Sequence, residues 1–142
     1  MTEIRRASAD DADAVAGLAA ELAQSFEFSR EQFRENYSAL LAADDACLLL
    51  AVNGHEPLGY VLGFRHLTFY ANGPVAWVEE IVVRSHDRGH GTGKALMSAF
   101  GRWAAGRGAN VLALVAPGAA PHSGADAVCT TRVRIARKGA RA

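Results

Sequence analysis

The chain has 142 residues, of which 50% are hydrophobic and 21% charged, and its 15 basic and 15 acidic residues cancel. This length fits one domain with a single core, and the composition excludes a chain that is disordered throughout. Zero net charge gives no indication of a nucleic-acid or membrane partner. No apolar run approaches the roughly 20 residues of a membrane-spanning helix and no signal peptide opens the chain, so we expect a cytoplasmic protein.

The N-terminal part predicts one strand and two helices. Residues 3–7 form a plausible short strand, and Asp10 and Asp11 offer N-caps for the helix that follows. Ser29 together with Gln32 fits a capping box at the start of a second helix. Apolar residues recur at helical spacing in both helices. They are Val15, Leu18, Ala19 and Leu22 in the first helix, and Phe33, Tyr37, Leu40 and Leu41 in the second.

Three strands are predicted next. The apolar run 46–52 is typical of a strand, and Asn53-Gly54 behind it indicates a two-residue hairpin loop. A further strand covers about residues 58–69. The turn at residues 72–74 separates it from a strand over residues 75–83.

A glycine-rich loop, a helix and a short strand complete the pattern. The helix after Gly93 carries its apolar residues on one face and ends near Gly106. Residues 110–115 are predicted to form a strand. The order β-α-α-β-β-β-α-β predicts an α/β fold with a mixed sheet in a single domain, residues 1–142. Periodicity fails from Pro117, so residues 117–142 are expected to be a divergent or poorly structured C-terminal segment.

The loop Arg-Gly-His-Gly-Thr-Gly-Lys at residues 88–94 has the features of an anion site. Glycines allow successive N–H groups to converge, and the first N–H groups of the next helix lack intrahelical partners. Such a helix start favours a bound phosphate or pyrophosphate. Lys94 supports this interpretation, because a cation in the first helical turn is unfavourable unless an anion lies nearby.

Spacing distinguishes three nucleotide-binding motifs at this loop. A P-loop requires glycine where the chain has Arg88 and Ser or Thr where it has Ala95, which disfavours a nucleotide-hydrolysing enzyme. The dinucleotide fingerprint lacks its last glycine in both possible registers. The pattern Arg/Gln-x-x-Gly-x-Gly/Ala is met in full by Arg88, Gly91 and Gly93. A glycine-rich turn without a ligand is the alternative.

With this motif, the preceding strand Val78-Glu79-Glu80-Ile81-Val82-Val83 and the Leu96-Met97 helix, the chain resembles the GNAT superfamily of N-acetyltransferases. The resemblance covers about residues 1–115 and is strongest over residues 75–115. It implies a GNAT-like fold, a largely antiparallel mixed sheet flanked by helices with splayed central strands. It also implies acetyl-CoA as cosubstrate and no metal. The implied cofactor-binding residues are Ile81, Val82 and Val83 along the pantetheine arm, and Arg88, Gly89, His90, Gly91, Thr92, Gly93 and Lys94 at the pyrophosphate.

Two acidic residues are the catalytic candidates. An alkyl ammonium must lose a proton before it attacks a thioester, at a cost of about 4–5 kcal/mol at neutral pH. Glu79 and Glu80 lie within an apolar strand, where alternation predicts that they face opposite sides. The resemblance implies that Glu79 is a general base, with a structural ion pair as the alternative. Glu80 is then a substrate contact or a structural acid.

The acidic pair favours a cationic acceptor, the primary amine of a polyamine or an aminoglycoside-like small molecule. A peptide N-terminus or lysine is a further alternative, and homodimers are common in the family. For Arg88, phosphate binding and a carboxylate pair are equally weighted. Candidates for the acceptor site are Phe26, Phe28, Phe33, Tyr37, Phe69, Tyr70 and Asn72.

The C-terminal end departs from the family pattern. The resemblance implies a tyrosine there that protonates the leaving thiolate, but residues 117–142 contain no Phe, Tyr or Trp. His122, Ser123, Cys129 or water are the possible substitutes. The segment is divergent, degenerate or replaced through a change of reading frame. The competing hypothesis is therefore a non-catalytic acyl-CoA-binding module or a degenerate acetyltransferase.

Overall fold

The computed structural model describes residues 2–23, 27–109 and 112–114. The predicted order of elements is confirmed over these residues. The elements are strands β1 (Thr2–Arg6), β2 (Ala46–Asn53), β3 (Glu56–Thr68), β4 (Gly73–Val83) and β5 (Leu112–Leu114), and helices α1 (Ala12–Leu22), α2 (Arg30–Ala42) and α3 (Thr92–Gly106). The predicted C-terminal segment, residues 117–142, lies outside the described residues.

The five strands form one sheet in the order β1-β2-β3-β4-β5. The first four strands are antiparallel, and β5 runs parallel to β4. Apolar side chains alternate between two buried clusters, as a period of two requires. One cluster packs α1 and α2 on one face of the sheet, and the other packs α3 on the opposite face. The predicted mixed sheet with flanking helices is therefore confirmed.

Two local predictions are confirmed in position but only partly in bonding, because the side chains bind other partners. The hydroxyl of Ser29 accepts from the N–H of Gln32 at 3.2 Å, but the Gln32 amide bonds along the helix, so only half of the capping box forms. Asp11 occupies the N-cap of α1 without a side-chain capping bond, because its carboxylate pairs with Arg5. That same carboxylate accepts from the N–H of Ser8 at 2.8 Å.

The β2–β3 hairpin turns one residue later than its sequence predicts. Asn53 pairs with Glu56 in the ladder, so the loop residues are Gly54 and His55. Gly54 takes the positive φ, +60°, and supplies the turn that was expected of the Asn-Gly pair. Among the described helices, none has the length and apolar character needed to cross a membrane.

Candidate functional site

The glycine-rich loop connects β4 to α3 with two left-handed residues. A short 3-10 turn, Ser85–Asp87, leads into Gly89 and Gly91, and both glycines have φ +83°. Gly91 is the N-cap of α3. A side chain at either position is strained, because L-residues avoid this region by about 1–2 kcal/mol. The sequence therefore places glycine where the backbone has to turn toward the helix axis.

The loop ends at main-chain N–H groups that precede the first helical bond of α3. That bond runs from the N–H of Ala95 to the carbonyl of Gly91. The N–H groups of Thr92, Gly93 and Lys94 lie ahead of it in the first turn, where a helix supplies no acceptor of its own. Donors at a helix start attract anions. The loop therefore fits the pyrophosphate that the motif predicts.

The charged side chains of the loop are arranged around these amides. Arg88 donates from Nε to the carbonyl oxygen of Val83 at 3.0 Å, which ties the loop back to β4. His90 and Lys94 are exposed. The first turn of α3 carries no acid, so Lys94 has no local carboxylate to offset its unfavourable position.

Strand β4 leads into this loop, and beyond Val78 its β5 side pairs with no strand among the described residues. Its parallel pairing with β5 covers Ala76, Trp77 and Val78 and extends no further among the described residues. The segment Ile81–Val83 is still paired with β3 on its other side. The side chains of this segment enter the two apolar clusters, which leaves the backbone on the β5 side available to an extended ligand arm.

A bulge in β4 corrects the prediction that Glu79 and Glu80 face opposite sides. Glu80 pairs with Leu62 and Val78 pairs with Gly63, so Glu79 is the extra residue. Both acidic side chains consequently line the same cavity. Gly63 is required here, since a Cβ at that position would lie 2.5 Å from the carbonyl oxygen of Trp77 and 2.3 Å from the ring of Phe100.

Each carboxylate is held by one aromatic donor. The indole N–H of Trp77 donates to Oε2 of Glu79 at 3.1 Å, and the hydroxyl of Tyr60 donates to Oε1 of Glu80 at 2.9 Å. Glu79 is exposed, whereas Glu80 is half-buried. Burial and the neighbouring Glu80 raise the pKa of Tyr60 above its ordinary value, so its hydroxyl stays protonated as a donor.

The two carboxylates lie at a cavity of about 690 Å³ between the helices α1 and α2 and the sheet. Its lining contains three acids, Glu27, Glu79 and Glu80, and no basic residue among those described. Such a site favours a cation. The remaining lining residues are Val15, Ala19, Leu22, Ala23, Phe28, Ser29, Gln32, Phe33, Asn36, Tyr37, Leu40, Leu48, Tyr60 and Leu62.

The predicted acceptor-site residues separate into two groups. Phe28, Phe33 and Tyr37 line the cavity, as expected. Phe69 and Tyr70 instead lie exposed with Asn72 at the β3–β4 turn, outside the cavity lining, so their place in an acceptor site stays a prediction. They follow the end of β3, whose ladder carries them away from the helices. Phe26 and the substitute acids His122, Ser123 and Cys129 lie outside the described residues.

Sequence reasoning missed Tyr60 and Trp77 as partners of the acidic pair. Tyr60 lies on β3 two residues before Leu62, the residue that pairs with Glu80. The bulge sets this register, and no local pattern in the sequence predicts it. Trp77 is two residues before Glu79, which is the spacing of side chains on one strand face and was the available signal.

A polar network fixes the walls of the cavity to the sheet. Arg5 on β1 binds Asp11 through two bonds, at 2.7 and 2.8 Å, just before α1. The hydroxyl of Tyr37 on α2 donates to the carbonyl of Ser8 at 2.6 Å. Arg5, together with Ser8, holds the pKa of Asp11 well below its usual range. Both helices are thereby anchored to one strand end.

Among the described residues, no group of three or more His, Cys, Asp or Glu side chains is arranged to hold a metal ion. Cys47 is completely buried, and burial raises the pKa of its thiol to about 11. The amide-lined loop, the open edge of β4 and the acidic cavity are therefore the chemically distinctive features of this part of the chain.

Comparisons with known proteins agree with this arrangement. A profile of the acetyltransferase (GNAT) family matches residues 15–123. No curated protein sequence matches the chain. A transcriptional regulator from Bacillus halodurans C-125 is similar in structure, with a TM-score of 0.75, 20% identity and 82% of each chain covered.

Two acetyltransferase-related structures are also similar. Glucosamine-6-phosphate N-acetyltransferase from Arabidopsis thaliana has a TM-score of 0.72 and 18% identity, with 82% of each chain covered. AAC(6')-Iy in complex with the bisubstrate analogue CoA-S-monomethyl-acetylneamine has a TM-score of 0.73 and 22% identity, and the similarity covers 98% of this chain and 99% of that one. At these identities the structures show a shared fold. Because the family profile matches most of the sequence, the chain belongs to the GNAT family of acetyltransferases.

Proposed function

We propose that this chain transfers the acetyl group of acetyl-CoA directly to the primary amine of a small molecule. The observation that carries the proposal is the position of Glu79 and Glu80. Both side chains line one acidic cavity, on the strand whose open edge leads to the amide-lined loop. A cationic amine and an extended thioester would meet at this bulge.

The loop residues 88–94 would hold the pyrophosphate of CoA through their N–H groups, and the backbone of Ile81–Val83 would pair with the pantetheine arm. Gly89 and Gly91 support this, because their φ of +83° is a conformation that lets neighbouring N–H groups converge on one ligand. When bound, acetyl-CoA supplies an activated acetyl thioester. The chain contributes orientation, because an aligned pair of reactants reacts far faster than a free pair.

Glu79 is the proposed general base. Its exposed carboxylate can return the proton to solvent after each turnover, and Trp77 fixes one oxygen while leaving the other free to accept. Glu80 is the proposed anchor for the ammonium group, because Tyr60 holds it in one position. A positioned base contributes about 10²–10⁴-fold to such a reaction.

In the proposed reaction, Glu79 takes one proton from the ammonium. The neutral amine then attacks the carbonyl carbon of the thioester, a C–N bond forms, and the C–S bond breaks. The amine nitrogen loses its second proton and the CoA thiolate gains one, so the products are the amide and the free thiol. The donor of that last proton stays a prediction, with His122, Ser123, Cys129 and water as the candidates.

Two measurements test this function on the full chain. Calorimetry with CoA, acetyl-CoA and ATP is expected to show binding of the two CoA compounds only. Release of free thiol from acetyl-CoA is then followed over a panel of primary amines that includes spermidine and an aminoglycoside, the acceptors expected from the sequence. CoA binding without thiol release on any amine would instead support the non-catalytic acyl-CoA-binding module. Failure to bind CoA would contradict both.

A further inference from the structure

We infer that the acceptor is a primary amine carried on an apolar, aromatic body, rather than a polyamine or a hydroxyl-rich amino sugar. This inference rests on the proposed function and narrows its substrate class. It follows from the lining of the 690 Å³ cavity, in which apolar side chains predominate and the charge is confined to carboxylates.

Aromatic rings form one wall of the cavity. The rings of Phe28 and Phe33 have centroids 5.7 Å apart, and those of Phe33 and Tyr37 are stacked at 5.4 Å. All three residues line the cavity from the α2 side. Neighbouring rings at these distances attract one another and a further ring of a ligand, beyond the gain from burial alone. An aromatic ligand body therefore has a matching surface.

The polar side chains of the helical wall already use part of their hydrogen-bonding capacity within the chain. The hydroxyl of Ser29 accepts from the N–H of Gln32, and the Gln32 amide donates to Glu35 and Asn36. The hydroxyl of Tyr37 donates to the carbonyl of Ser8. Ligand hydroxyls that enter the apolar part of this cavity lose water without gaining a partner there, which is unfavourable for each buried group.

The charge of the cavity fits no more than two ammonium groups. The hydroxyl of Tyr60 is committed to Glu80, and the two carboxylates of the bulge share one ammonium. Glu27 is the third acid of the described lining, so the third cationic group of a polyamine such as spermidine would lie against the apolar walls. Burying an unpaired charge there is strongly unfavourable. The acceptor class that fits best is an arylalkylamine.

The test measures kcat/KM of the full chain by thiol release with phenethylamine, hexylamine, spermidine and neamine. Phenethylamine is expected to exceed spermidine and neamine by at least about tenfold, because the ring is buried and no hydroxyl is left unpaired. Spermidine or neamine as the preferred acceptor would overturn the inference.

Two matched variants test whether a ring of the cavity wall causes the preference for phenethylamine. Phe33→Leu removes a cavity ring, whereas Phe64→Leu removes a ring from the same apolar cluster without touching the cavity. Phe33→Leu is expected to lower the preference for phenethylamine over hexylamine about tenfold, and Phe64→Leu to leave it unchanged. Equal changes in both variants would contradict the aromatic wall.

Binding separates failure of this inference from failure of the proposed function. Each amine is titrated by calorimetry into the chain saturated with CoA. If no amine releases thiol, the proposed reaction is wrong, but the order of amine affinities still decides the acceptor class. Tighter binding of phenethylamine than of spermidine and neamine supports the inference, and the reverse order refutes it.

Discussion

The loop at residues 88–94 and the acidic cavity are built in different ways. The loop is local: a few consecutive residues fix it, and its proposed chemistry comes from main-chain N–H groups beside two left-handed glycines. The cavity is assembled from α1, α2, β2, β3 and β4, and its proposed chemistry comes from side chains. A change in one loop residue is therefore expected to act on the proposed CoA site, whereas the cavity responds to changes that are distant in sequence.

This difference also separates the two ligands that the chain is proposed to bind. A backbone site is tolerant of side-chain variation, which suits a cosubstrate that the whole family uses. A side-chain site can change with each lining residue, which suits an acceptor that differs between relatives. The two regions should consequently be separable by mutation, one affecting CoA affinity and the other affecting turnover and acceptor choice.

The largest difference between the effect on turnover and the effect on CoA affinity is expected from Glu79→Gln. Loss of the base should lower kcat about a hundredfold or more, while the affinity for CoA stays within about twofold. Thiol release and calorimetry measure the two quantities on the same sample. Glu31→Gln, an equal change at an exposed position of α2, is the control and should leave both unchanged. Unaltered turnover of Glu79→Gln across pH would remove this residue from the mechanism.

A smaller effect on the cavity is expected from Tyr60→Phe. The buried hydroxyl of Tyr60 donates to Glu80, so its removal frees the carboxylate that is proposed to anchor the ammonium. KM for the amine should rise about tenfold with a smaller change in kcat, because one hydrogen bond to a charged group is lost. An equivalent KM in both proteins would show that Tyr60 does not position Glu80. CoA affinity should again be unaffected.

Gly91→Ala tests the loop and, unlike the two cavity variants, is expected to change CoA affinity. Alanine at φ +83° is strained, so the amides shift and CoA affinity should fall about tenfold, with a stability loss of about 1–2 kcal/mol. Gly54→Ala is the matched control, since Gly54 has φ +60° in a hairpin distant in sequence from the loop. It should lose similar stability in urea unfolding but bind CoA normally. Equal losses of CoA affinity in both variants would contradict a loop-built site.

The loop was also the region that the sequence predicted best. Arg88, Gly91 and Gly93 satisfy a motif whose spacing is set by one turn of backbone, so a short window of sequence contains all the information. The strand before it and the helix after it were equally local, and their periodicity placed them correctly. The structure adds that Arg88 reaches the carbonyl of Val83, a contact that needs coordinates.

The cavity was predicted only in part, for a physical reason. The faces of Glu79 and Glu80 depend on a bulge, and the bulge depends on Gly63 and Phe100 packing from another strand and helix. A strict period of two therefore gave the wrong face for one of them. Phe33 and Tyr37 were found from helical spacing, whereas the exposed Phe69 lies outside the cavity lining.

The anchoring network at Asp11 should make the stability of the chain sensitive to acid. Because the pKa of Asp11 is lowered in the folded chain, its contribution to stability is present above its ordinary value of 3.8 and is lost as pH falls below it. Asp11→Asn should remove that slope and lower stability at neutral pH by about 1 kcal/mol. Urea unfolding of both proteins between neutral and acidic pH measures it, and identical pH slopes would exclude this role for Asp11.

The smallest effect is expected at the exposed cation of the loop. Lys94→Gln removes a charge from the first turn of α3, where no acid balances it. If a pyrophosphate lies at this helix start, CoA affinity should fall about threefold and the loss should shrink with added salt, because exposed charges are screened. Stability without CoA should rise slightly, since the unfavourable interaction with the helix dipole is gone. A lower CoA affinity together with a higher stability of Lys94→Gln would indicate that Lys94 serves a bound anion and not the fold. A decrease in both quantities would contradict the proposed pyrophosphate site.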